Sequence, residues 1–251
     1  MRLDLQFFGG RGASSSGGGE GGGRLKPALL PTARAEQIMN AKDFKELKDV
    51  AEQNGIILDN KLRLYDEDVV KNAVLVTARY KEEFPGLKNE KPIELKTSTA
   101  RSSYAFQTSN AIDGDKGISL AQAMKNKQLV NQYYENDVKR NFHPEGTTAN
   151  DIVAHEMGHA LVSRIVHKSY DTPTARMADM KAGKTSANIV KSSYDKLKNK
   201  ETISKEVSKI SRYAMKNPDE TIAEACADVF ANGNKAKPLS KEIWKTLKSH
   251  Y

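Results

Sequence analysis

Two histidines and one glutamate within five residues could together hold a metal ion and move a proton. They are His155, Glu156 and His159, in the run HEMGH. Side chains four residues apart on an α-helix lie about 40° apart around its axis and one turn along it, so both imidazoles can reach one ion. Glu156 follows His155 by about 100° and can reach a water on that ion without binding the ion itself. The spacing therefore predicts a Zn²⁺ site with Glu156 as general base.

The residues around this run favour a buried helix over a solvated surface helix. The stretch 151–166 is apolar enough to be buried, and Thr148 with Asp151 fits a capping box in which Asp replaces the usual Glu. Gly158 places no side chain between the two histidines, so another backbone or a substrate can come close. This context agrees with the HExxH motif of zinc metallopeptidases and predicts hydrolysis of a peptide bond by zinc-activated water.

A catalytic zinc usually has three protein ligands and an open position, so the pattern requires one more ligand. The predicted helix 218–231, capped by Asn217, places Glu220, Glu224 and Asp228 on one face. One carboxylate of this face could bind the metal, and the next could accept the ring N–H of a metal-bound histidine. Spacing leaves two registers open: Glu220 as ligand backed by Glu224, or Glu224 as ligand backed by Asp228.

The runs HEMGHALV at 155–162 and YAMKNPDETIAEA at 213–225 together resemble the metallopeptidase domain of anthrax toxin lethal factor and its relatives. That family has a Tyr seven positions before the ligand Glu, within a Tyr…Asn-x-x-Glu-x-x-Ala-Glu pattern. The resemblance implies Glu220 as the third ligand, Tyr213 as a phenol near the reaction centre and Glu224 as a carboxylate behind the ligands. It covers about residues 90–235. The second motif is less aromatic here, and the stretch between the two motifs is longer.

The hydrophobic patterns predict an α+β fold of the zincin type. We expect a small mixed sheet, the HExxH helix and a helical C-terminal half, with one edge strand free to pair with an extended peptide. The expected organisation is a disordered Gly/Ser-rich tail at 1–25, an N-terminal helical segment at 26–90 and a metallopeptidase domain at 91–251. Predicted helices are 34–53, 66–84, 126–140, 148–168, 186–198, 202–211, 218–231 and 239–250, and predicted strands are 92–97, 103–108 and 117–120.

Composition narrows the choice of partners and compartment. The chain of 251 residues carries a net charge of +8, but its lysines are spread through the helical segments, so a nucleic-acid partner is not expected. No stretch is long enough to span a membrane, and no classical signal peptide is recognisable. Cys226, the single cysteine, excludes an intramolecular disulfide and is expected to be a small buried residue. A cytoplasmic or virion-associated protein is the expectation.

The first twelve residues, MRLDLQFFGGRG, resemble the start of many short proteins encoded among structural genes of phages and prophages of Gram-positive bacteria. This resemblance implies a phage-associated protein that contacts a capsid or virion through its tail.

Three functions are therefore compared. The first is a zinc endopeptidase acting on a protein or peptide, delivered as an effector or toxin. The second is a regulatory zincin that cleaves a repressor of a mobile element, although the usual Glu-x-x-Ala-Asn of that group ends in Glu224 here. The third is a non-catalytic virion or interaction protein with a structural zinc.

Overall fold

A computed structural model describes residues 32–101 and 104–251 of the chain. The predicted tail at 1–25, with its expected virion contact, and the first residue of the predicted strand 103–108 lie outside the described residues.

The described residues form ten α-helices and four β-strands. The helices are α1 (Thr32–Met39), α2 (Phe44–Gln53), α3 (Glu67–Glu83), α4 (Lys127–Lys139), α5 (Ile152–Ser169), α6 (Pro173–Ala182), α7 (Lys184–Asp195), α8 (Ile203–Ser208), α9 (Pro218–Asn232) and α10 (Pro238–Lys248). The strands are β1 (Ile56–Leu58), β2 (Ile93–Thr97), β3 (Ala105–Asn110) and β4 (Gly114–Leu120). Short 3₁₀ turns, among them Ala149–Asp151 and Tyr213–Lys216, lead into α5 and α9.

The four strands form one mixed sheet in the order β1-β2-β4-β3. The pairs β1/β2 and β2/β4 are parallel, and the edge strand β3 runs antiparallel to β4. The predicted α+β class with a small mixed sheet is therefore confirmed. Strand β1, which the sequence patterns did not indicate, lies within the predicted N-terminal segment 26–90 and pairs with β2, so this segment and residues 91–251 share one sheet.

The N-terminal helix predicted at 34–53 is in fact two helices, and the prediction of a single helix is wrong. The chain leaves α1 at Met39, and a new helix begins where Asp43 accepts a hydrogen bond from the backbone N–H of Glu46 at 2.9 Å. The carboxylate of Glu46 in turn accepts the N–H of Lys42 at 2.8 Å. The Asp43 bond satisfies an N-terminal donor of the helix and the Glu46 bond holds the residue before the N-cap, so α2 begins at this point.

Helix α5 lies at the centre of the molecule, against the sheet on one side and against α3 and α9 on others. The hydroxyl of Tyr80 in α3 donates to the backbone oxygen of Ala154 at 2.8 Å, and its ring stacks on Phe84 and Phe230. Burial of α5 and the Thr148 capping box were both predicted and are confirmed. None of the helices within 32–101 and 104–251 combines the length and the apolar character needed to cross a membrane.

Candidate metal centre

The structure brings together the two histidines of α5 and a carboxylate of α9. His155 Nε2 lies 3.2 Å from His159 Nε2, and both nitrogens lie 3.3 Å from Glu220 Oε2. A metal bound tetrahedrally with bonds of about 2.0–2.1 Å would separate its ligand atoms by roughly 3.3–3.4 Å. The three atoms, called the ligand triangle below, thus already form one face of such a tetrahedron. The donor set of two imidazoles and one carboxylate fits a metal ion.

The state of Glu220 agrees with a ligand role. Its side chain is buried, and its Oε2 atom accepts no hydrogen bond from any described residue. A buried carboxylate oxygen without a donor is costly unless a cation completes its environment. Although burial acts to raise the pKa of Glu220, the neighbouring His159 and His155 hold that pKa far below its ordinary value, so the group is anionic.

Close packing of α5 on α9 makes this arrangement possible, and Gly158 permits the packing. A Cβ atom added at Gly158 would lie 2.8 Å from Ala223 Cα and 3.2 Å from Cys226 Sγ, closer than side chains normally approach. The expectation that another backbone comes close at Gly158 is therefore confirmed, and that backbone belongs to α9. As predicted, α9 begins with Pro218 after the N-cap Asn217, whose side chain accepts the N–H of Glu220 at 2.9 Å.

Glu224 lies one turn behind Glu220, on the far side of the His155 ring. Its Oε1 atom is 2.8 Å from His155 Nδ1 and 2.9 Å from His143 Nδ1, and its Oε2 atom accepts from Ser211 Oγ at 2.9 Å. Burial acts to raise the pKa of Glu224, but His143 and His155 outweigh it and lower that pKa to about 2. Glu224 is thus an anion beside His155 Nδ1, and this contact orients the ring so that its other nitrogen, Nε2, lies next to His159 Nε2 and Glu220 Oε2.

Between the two registers left open by spacing, the geometry places Glu220 at the triangle and Glu224 behind it. Asp228, which the other register required, serves the local structure instead. Its two oxygens accept from Asn232 Nδ2 and from the backbone N–H of Lys237, each at 2.8 Å. These bonds fix the chain between α9 and α10.

Tyr213 lies beside the ligand carboxylate. Its hydroxyl donates to Glu220 Oε1 at 3.0 Å and accepts from Lys216 Nζ at 3.0 Å. Burial, followed by the charge of Glu220, raises the pKa of Tyr213 above its ordinary value, so the phenol keeps its proton. The structure therefore places Tyr213 against Glu220 Oε1, on the side of the carboxylate opposite the triangle.

Glu156 borders the cleft next to the triangle and contacts the edge strand. Its Oε2 atom accepts the backbone N–H of Gln107 in β3, with 2.6 Å between the two heavy atoms. Burial raises the pKa of Glu156 above its ordinary value, although His155 and His159 oppose this effect. A carboxylate whose pKa is raised towards neutrality is better suited to exchange protons at neutral pH.

The cleft in front of the triangle has a volume of about 510 Å³. It is bordered by the edge strand β3, by α5, by α6 and by the first turn of α9. Its apolar lining includes Val162 and Val166 of α5 and Met177 and Met180 of α6. β3 is the edge strand of the described sheet, so an extended chain could pair with it in front of the ligand triangle at positions other than the Gln107 N–H that Glu156 accepts.

Two features of the site did not emerge from the sequence. His143, which holds Glu224, lies in the loop before α5, outside both motifs, and only its tertiary contact identifies it. Helix α6, which forms one wall of the cleft, was not predicted either. A signal for α6 was available, since Thr172 accepts the N–H of Ala175 as N-cap and Pro173 occupies the first helical position.

Comparisons with protein-family models, with curated proteins and with solved structures each find no match for this chain.

Proposed function

We propose that this protein is a zinc-dependent endopeptidase with a zincin-like catalytic domain. The observation that carries the proposal is the ligand triangle of His155, His159 and Glu220, with the buried carboxylate of Glu156 beside it on an open cleft. The likeness of the two motifs to the lethal-factor metallopeptidases supports the same reading.

Zinc is the metal that this donor set suits best. Two imidazole nitrogens and one carboxylate oxygen in near-tetrahedral spacing are typical of catalytic zinc, which keeps its fourth position open. When bound, zinc supplies Lewis acidity to a peptide carbonyl and to water. A structural zinc is usually closed by four protein ligands, whereas the described residues bring three together here, and all three border the cleft.

Glu156 is the proposed general base. Its carboxylate lies within the same cleft as the triangle, and burial raises its pKa, which favours acceptance of a proton from water and its return to the leaving amine. Tyr213 retains its proton and donates it to Glu220 Oε1 in this structure, and it does not border the cleft. To stabilise the oxyanion that forms from the scissile carbonyl, its hydroxyl would have to leave Glu220. The substrate would bind beside β3 in an extended conformation, as an additional strand of the sheet.

Comparison of the wild type with Glu156→Gln on a peptide library, with cleavage read by mass spectrometry, tests the proposal. We expect the wild type to cleave and the variant to retain zinc while losing about 10²–10⁴-fold in kcat, because proton transfer is lost and the ligands are kept. The control is Glu83→Gln, which changes a buried carboxylate that pairs with Lys248 and does not border the cleft.

The other outcomes separate the competing functions. Equal cleavage by wild type and Glu156→Gln contradicts the mechanism, and full zinc content of His155→Ala by elemental analysis contradicts the ligand set. A wild type that holds zinc tightly but cleaves no member of the library supports the non-catalytic virion or interaction protein. Cleavage confined to a repressor-like protein, with the library untouched, supports the regulatory zincin.

A further inference from the structure

The backbone N–H of Gln107 lies on the outer edge of the described sheet, on the side of β3 away from β4. In the antiparallel pair β3/β4, Ala121 N donates to Tyr104 O at 2.9 Å, and the register places Gln107 opposite Ile118. Because hydrogen-bonded and non-bonded pairs alternate along an antiparallel ladder, Gln107 falls in a non-bonded pair. Its N–H therefore points away from β4, and Glu156 Oε2 accepts it at 2.6 Å.

The side chain of Gln107 is tied to the neighbouring strand. Its Nε2 donates to Asp115 Oδ1 at 2.9 Å, and Asp115 Oδ2 accepts from Arg164 Nε at 3.0 Å and from Arg164 Nη2 at 2.8 Å. The Asp115 and Arg164 side chains are only 4% and 9% exposed. Both Arg164 donors bind the same oxygen, and Asp115 Oδ1 also accepts the backbone N–H of Gly117 at 2.8 Å, so the buried Asp115 carboxylate is held in place and anchors the side-chain amide of Gln107.

These contacts close a ring on α5. Arg164 lies eight residues after Glu156, about two turns along the same helix. From Glu156 the ring passes to the backbone of Gln107, then through its side chain to Asp115, and through Arg164 back to α5. The β3/β4 register is irregular between Gln107 and Ser109, as at a bulge. Bulges commonly lie next to active sites, and this irregularity follows directly after Gln107.

We propose that Gln107 is a positioning residue for Glu156, acting through its backbone N–H, whose place is set by the side-chain bond to Asp115. The inference rests on the proposed function, since it concerns the base of that reaction. A single short bond from a fixed donor limits the rotation of the Glu156 carboxylate beside the cleft. Catalysis depends strongly on such placement, and a displacement of about 1 Å can cost about 10²-fold in rate.

The variant Gln107→Met tests this role because it keeps the side-chain length and the backbone N–H but removes the Nε2 bonds to Asp115 Oδ1 and to Thr108 O, at 2.9 and 3.0 Å. We expect kcat to fall about 10-fold, with KM and the Kd for zinc unchanged, because the base is displaced and the ligands are not. The matched control is Gln122→Met, which removes a bond from Gln122 Nε2 to Ser98 O of 2.7 Å away from the cleft. Wild-type kcat in Gln107→Met, or an equal loss in Gln122→Met, overturns the proposal.

A second measurement does not depend on hydrolysis. In ¹⁵N-labelled wild-type protein, the Gln107 amide proton should resonate at low field and exchange at least about 10-fold more slowly than a free edge amide, because a carboxylate accepts it. Glu156→Gln should move this resonance upfield, since a neutral amide oxygen is the weaker acceptor. If the Gln107 amide proton exchanges as fast as a solvent-exposed amide, or if its resonance does not move in Glu156→Gln, the hydrogen bond from Gln107 N–H to Glu156 is disproved, even if the wild type cleaves peptides. If the wild type cleaves nothing but both signatures appear, the proposed function fails and the contact stands.

Discussion

The two sides of the cleft are built differently. On the metal side, α5 and α9 pack so closely that Gly158 touches Ala223, and Glu220 and Glu224 are almost completely buried. On the opposite side, α6 buries little beyond Asp179, and Met177 at 56% exposure faces the cleft. The first side is a helix pair with paired charges, and the second is an edge strand with a loosely packed, methionine-bearing helix.

This difference agrees with the proposed function. Metal ligands must stay within a few tenths of an ångström of their positions, so they are placed on packed helices with hydrogen-bonded neighbours. A surface that accepts peptide side chains can be more adaptable, and methionine suits it because its side chain is flexible and polarizable. We therefore expect substitutions on the metal side to change metal affinity and stability, and those on the α6 side to change substrate binding alone.

The largest expected effect is at Glu224. Replacing it with Gln removes the anion that orients His155 and that accepts from Ser211, so the Kd for zinc should rise about 10–100-fold in a competition assay with a chelator. Asp228→Asn is the matched control, a buried carboxylate on the same helix that bonds only local groups. Equal losses of affinity in both variants would show that Glu224 contributes only to general packing.

An intermediate effect is expected at Gly158. An alanine there would crowd the backbone of Ala223, and overpacking of this kind costs about 1–3 kcal/mol, partly offset by the better helix propensity of alanine, about 1 kcal/mol. Urea unfolding should show a net loss of about 1 kcal/mol, with a larger loss in Gly158→Ser. Stability equal to or above that of the wild type would mean that α5 and α9 can move apart without loss of free energy. That result would contradict the close, rigid packing inferred for the metal side.

The smallest effect is expected at Met177. Because this side chain is mostly exposed, Met177→Gln should change the free energy of unfolding by no more than about 0.5 kcal/mol and leave zinc affinity unchanged. Peptide KM should rise, since an apolar contact with the substrate is lost. Met215→Gln is the control, with a side chain that is 52% exposed and does not border the cleft. If both variants have the same KM, α6 takes no part in substrate binding.

Much of the helical structure could be predicted because its signals are local. The capping box at Thr148, the Asn217–Pro218 start of α9 and the apolar pattern of α5 lie within one or two turns of the residues they specify. Strand β1 was missed because three residues give too short a pattern and its pairing partner lies far along the chain. The break between α1 and α2 depends on a capping exchange near Asp43 that the apolar periodicity does not reveal.

By itself the sequence determined that His155 and His159 lie on one face of a helix with Glu156 alongside, since helix periodicity places side chains four residues apart on one face. It also limited the candidates for a third ligand to a row of carboxylates at Glu220, Glu224 and Asp228. Only the tertiary structure decided how that row meets the histidines, because the register depends on the contact between Gly158 and α9, about sixty residues apart in the chain. The contacts of His143 with Glu224 and of Gln107 with Glu156 likewise join distant segments, and they exist only once the chain has packed.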